Sequence, residues 1–150
     1  MNLLLAKNPM DREHEVARRA MAYERINYSL LLKAMIRKYF WNCLPVPPVH
    51  FRSVEEGTLA YLGSYVDRRD RRFFGYHIVL DVRAIAEDLL ESGAPLTAIL
   101  AHELCHLYRQ ECEGLMGNHT SGFDNLCECV RDLNGCPVID GKGAYLAPIY

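Results

Sequence analysis

Apolar positions in the first third of the chain recur at three- and four-residue steps: Val16, Ala20, Tyr23, Asn27, Leu30, Ala34 and Met35. That spacing predicts helix from Asn8, an N-cap followed by Pro9 and the acidic Asp11 and Glu13, to about Tyr39, with one break near Asn27. Pro45-Val46-Pro47-Pro48 ends it, since proline removes a donor and pushes its predecessor out of the helical region. The period then changes. Val49–Val54, Thr58–Val66 and Phe73–Val82 are rich in aromatic and β-branched residues, with turn-forming or charged stretches between them. They predict three strands of a mostly antiparallel sheet. Helix returns over Asp81–Leu90, breaks at Ser92-Gly93-Ala94-Pro95, and resumes from Leu96 to about Gln110. Gly114, Gly117 and Asn118 mark a loop, and Phe123–Leu133 reads as a last helix stopped by Asn134-Gly135.

The elements add up to one α+β domain over residues 1–150, a small antiparallel sheet of about three strands packed by helices. A helical segment (9–41) precedes a sheet (49–82) and a second helical part (94–135). With 150 residues, half of them apolar, the chain buries a core without needing a metal or disulfide staple. No run approaches the roughly 18 apolar residues of a membrane helix, and the start lacks the basic and long apolar regions of a signal peptide. A cytoplasmic location is the expectation, with no membrane partner. Cys43, Cys105, Cys112, Cys127, Cys129 and Cys136 then read as free thiols, and the absence of a Cys-x-x-Cys pair argues against a zinc ribbon.

Net charge is −2, but it is unevenly placed. Residues 1–75 hold 13 basic against 8 acidic side chains, a balance of +5; residues 76–150 hold 4 against 11, a balance of −7. Arg68, Arg69, Arg71 and Arg72, flanked by Tyr65, Phe73, Phe74 and Tyr76, have the composition of a single-stranded DNA contact. They equally suit a solvated hairpin turn between core strands.

The stretch with chemistry in it is His102-Glu103-Leu104-Cys105-His106. On a helix, residues four apart share a face, so both imidazoles can reach one zinc ion. Glu103 lies about 100° round from His102, near such a metal without pointing at it, as suits a base acting on a water. With 6 His and 11 Glu in 150 residues, a chance match to this pattern arises in about 2 per cent of such chains. A helical setting with the apolar lead-in Leu96–Ala101 strengthens the metal reading. His119 and Glu128 compete as third ligand: the first follows a glycine-containing loop, the second sits in a Glu-x-x-x-Asp pattern. Arg109, Tyr108, Tyr145 and His77 are the candidates for steadying a developing oxyanion. Were the zinc structural, Cys112 would be the natural fourth ligand.

His119-Thr120-Ser121-Gly122-Phe123, thirteen residues after His106, resembles the third-histidine motif of the SprT-like zinc metalloprotease domains (the Spartan-like family). In that family the motif usually reads His-Gly-x-x-Phe/Trp and opens another helix. Thr120 stands here for the usual glycine and Gly122 for the usual acidic residue. The likeness runs from about Tyr28 to Val138, including an extended Val49-His50-Phe51 and the strand Gly75–Leu80. It implies a zincin-like core, Zn2+ held by His102, His106 and His119, Glu103 as general base, and a protein or peptide substrate, on DNA-associated proteins in some members. The zinc ribbon or DNA-binding tail that follows in many members has no counterpart among these residues. Thermolysin-like use of Glu128, and a non-enzymatic module with structural zinc, are the alternatives.

Overall fold

Asn27 restarts the helical path. Its side chain accepts a hydrogen bond from Leu30 N at 3.2 Å, giving the chain a second N-terminus where the sequence predicts a break. The computed structural model describes residues 9–40, 42, 44–66, 69 and 73–113. Helix α1 spans Pro9–Glu24 and α2 spans Tyr28–Tyr39; β1 (Val49–Phe51), β2 (Ala60–Val66), β3 (Phe73–Leu80), α3 (Val82–Ser92) and α4 (Leu96–Glu113) follow. The described residues thus form four helices and a three-stranded mixed sheet, an α+β arrangement. None of these helices is long and apolar enough to cross a membrane.

The buried stripe of α2 is Tyr28, Leu32, Met35 and Ile36. Of the positions that the periodicity predicts, Met35 belongs to it, whereas Leu30 is 65% exposed and Ala34 is exposed too. The break at Asn27 shifts the helical phase enough to turn those two outward.

The sheet also differs from expectation. Strand order is β1-β3-β2. β2 and β3 form an antiparallel hairpin, but β1 runs parallel to β3, with Val49 opposite Ile78 and Phe51 opposite Leu80. The cause is connectivity. The hairpin commits one edge of β3 to β2, so β1 can join only the other edge. The segment 52–59 crosses the end of β3, and this fixes β1 in the same sense as β3. Hydrogen bonds from Ile78 N to Pro48 O (2.9 Å) and Arg52 N to Leu80 O (3.1 Å) extend that pairing at both ends.

Asp81 secures the crossing segment. One carboxylate oxygen caps α3 by accepting from Ala84 N at 3.1 Å, and the other accepts from Val54 N at 3.2 Å. Asp81 N itself donates to Leu59 O at 2.9 Å. At the far end of α3, Gly93 takes φ +73° and its N–H bonds Leu89 O, the left-handed cap that frees the chain to turn into α4.

Alternation sorts the sheet residues onto two faces. Ile78 and Leu80, with Leu62, Ala60 and Val49, join α2, α3 and α4 in the main core. His77, with His50, Tyr61, Gly63 and Tyr65, lies on the opposite face.

Candidate metal centre

Helix α4 is anchored before it reaches its polar residues. Ala98, Ile99, Leu100 and Ala101 are at most 1% exposed, as are Leu104, Cys105 and Leu107 among the residues that follow. Burial of these side chains fixes the helix against α2 and the sheet and leaves its polar stripe little rotational freedom.

On that stripe His102 and His106 meet. Their Nε2 atoms are 3.1 Å apart, the rings cross at 80°, and each residue is 8% exposed. Two nitrogens bound at about 2.0–2.1 Å to one tetrahedral zinc stand about 3.3 Å apart, so the pair needs only a small adjustment to hold a metal. In the metal-free protein the same separation suits an Nε2–H···Nε2 hydrogen bond, and zinc would displace the shared proton. The neutral, nitrogen-donating chemistry of the pair fits zinc.

Glu103 is 4% exposed, and its Oε2 has no hydrogen-bond partner among the described residues. Burial pushes its pKa up to about 8, because the charged carboxylate has lost its water. A carboxylate this dry, one residue from an imidazole pair, has no packing rationale; isosteric apolar residues would serve the core better. Arg109 continues the stripe one turn beyond His106 and is buried too, because α4 runs on to Glu113. The sequence places it near the ligand face only if the helix continues, and it does.

Other expectations separate here. His119, Glu128 and Tyr145 lie outside the described residues, as do Arg68, Arg71, Arg72 and the side chain of Cys112. Arg69 is exposed on the turn between β2 and β3. No cluster of three His, Cys, Asp or Glu forms among the described residues. His77 does not belong with the paired histidines: alternation puts its ring across the sheet from the helical core. β3 is central and both its edges are taken, so among the described residues the open edge on the hairpin side belongs to β2, which also contacts α4.

One cluster goes unremarked in the sequence. His77 packs against Tyr65 (ring centroids 4.5 Å) and His50 (5.5 Å), and the Tyr65 hydroxyl hydrogen-bonds His50 Nε2. Burial first, and then His50 and Arg52 nearby, lower the pKa of His77. Gly63 makes room for it: a Cβ there would stand 2.6 Å from His77 Nε2 and 2.7 Å from Cε1. The ring cannot retreat through Tyr65. Gly63→Ala should therefore destabilise by about 1–3 kcal/mol, the cost of overpacking. In a His77→Ala background the same change should cost much less; equal thermal shifts in the two backgrounds would show that the steric argument is wrong.

No family model matches the chain, and no curated protein and no solved structure was found to match it.

Proposed function

We propose that the chain is a zinc-dependent peptidase of the SprT-like kind, with a zincin-like core built on α4. One observation carries the reading: two imidazole nitrogens 3.1 Å apart on a buried helix face, with a buried carboxylate as the next residue after the first, its Oε2 without a hydrogen-bond partner among the described residues. His102 and His106 would hold the metal with His119 as third ligand, the assignment that the resemblance favours; Glu128 is the alternative.

Bound zinc would supply Lewis acidity to a carbonyl and a water. The remaining work falls to the chain. Glu103 Oε2, which no donor among the described residues occupies, accepts the proton of the attacking water and passes it to the leaving amine. The apolar packing of α4 keeps bulk water away from that transfer and holds the two imidazoles in register. Among the described residues the outer edge of β2, Ala60–Val66, carries no partner strand, and alternate residues there present backbone groups along which an extended peptide can add as a further strand. Substrates are therefore extended, unfolded segments of protein. Association with DNA through Arg68, Arg69, Arg71 and Arg72 would serve substrates that are DNA-bound, and hydrolysis does not require it.

The test is metal analysis joined to proteolysis. The purified protein should carry about one zinc per chain, and cleavage of an unfolded protein should stop with a chelator and return with zinc. X-ray absorption should report three imidazoles, and His119→Ala should reduce them while Glu128→Ala should not. A zinc-free protein, or cleavage indifferent to chelation, would end the reading. Two imidazoles and a carboxylate would transfer the third position to Glu128.

A further inference from the structure

A cavity of about 400 Å³ lies beside α4 on a face that the paired histidines do not use. Leu107 and Glu111 line it, and they sit about 140° and 180° round the helix from His102 at 100° per residue. The rest of the described lining is the Pro45–Pro48 segment and Tyr76, with Tyr65 and Gly75 near the turn of the hairpin. Most of this lining is hydrocarbon or aromatic. The charged group is Glu111, which is exposed and makes no ion pair among the described residues. Tyr76 lies beside it: burial first, and then the Glu111 carboxylate, raise the pKa of the Tyr76 hydroxyl.

We propose that this cavity is a docking site for a lysine side chain from a basic peptide segment, separate from the metal centre. The alkyl stem of lysine would lie along Leu107 and the proline wall while its ammonium reaches Glu111, the arrangement by which long cationic side chains cover apolar surface. The Tyr76 ring adds a π face for the cation. Charge agrees at the site itself: Glu111 is the charged residue of the described lining, an acidic group for a cationic head. The proposal does not depend on peptidase activity and would hold for an inactive protein.

Fluorescence anisotropy on the full chain tests it with three labelled peptides identical except at one central position: lysine, norleucine or Nε-acetyl-lysine. Mass spectrometry confirms that each peptide is intact at the end of the titration. The lysine peptide should bind about fivefold more tightly than either neutral analogue, the ratio a partly exposed ion pair supports. Glu111→Gln should bring that ratio close to one, and Glu111→Lys should reverse it. Glu111 is exposed, so unchanged melting temperatures are expected of both variants. Equal binding of the lysine and norleucine peptides, or a preference that survives Glu111→Gln, would overturn the proposal. Competition by lysine amide as effective as that by the peptide would also overturn it, marking a site for small amines.

Discussion

Glu103→Gln should abolish proteolysis while leaving zinc in place. The amide matches the carboxylate in shape and hydrogen-bonding reach but accepts no proton at neutral pH. Loss of a general base costs roughly 10²–10⁴-fold in rate. The surroundings of Glu103 make the variant an informative one. The residue is 4% exposed and its Oε2 has no partner among the described residues, so no ion pair is broken by neutralising it, and the fold should survive. Single-turnover cleavage of an unfolded substrate, metal content and thermal melting, measured on one preparation, separate chemistry from structure. Wild-type cleavage by the variant would make Glu103 a structural residue and remove the mechanism. Loss of zinc along with activity would make it part of the ligand set.

His106→Ala should lose the metal outright. On the proposed three-ligand site, removal of His106 leaves too few donors to compete with water. His14, exposed on α1, is the control: His14→Ala should keep about one zinc per chain. The metal-free His106→Ala protein should remain folded, because Ala98–Ala101, Leu104 and Leu107 fix α4 without the histidines. Stoichiometric zinc in the variant would place the metal elsewhere in the chain.

How far the sequence could be read depends on whether the deciding physics is local. Asp81 and Gly93 bound α3 as N-cap and left-handed C-cap, and both roles follow from side-chain chemistry at one position. The pairing of His102 with His106 is local too, since helical periodicity alone brings them within 3.1 Å. The direction of β1 is not local. It depends on which edge of β3 the hairpin leaves open, and nothing within Val49–Phe51 records that. His77 shows the same limit: its residue type suits a catalytic role, but the register of the sheet puts it with His50 and Tyr65. The mistaken stripe on α2 arose where a break of a few residues shifted the helical phase. The choice between His119 and Glu128 turns on residues beyond Glu113, outside those described.

The attachment of α1 has a consequence for how the molecule comes apart. Among the described residues Val16 is its one buried side chain, in a small cluster with Ala86 and Leu90, while Ala20 and Tyr23 are partly covered against that cluster and the main core. Surface ion pairs, Arg12 with Glu91 and Arg83 with Glu13, add to these ties, and such pairs contribute little in salt. Helix α4 is sealed by many more side chains. Opening is therefore uneven: α1 can peel away as a separate cooperative unit at a fraction of the cost of global unfolding. The imidazole pair would stay intact when it does, so a protease that nicks the first helix need not inactivate the protein.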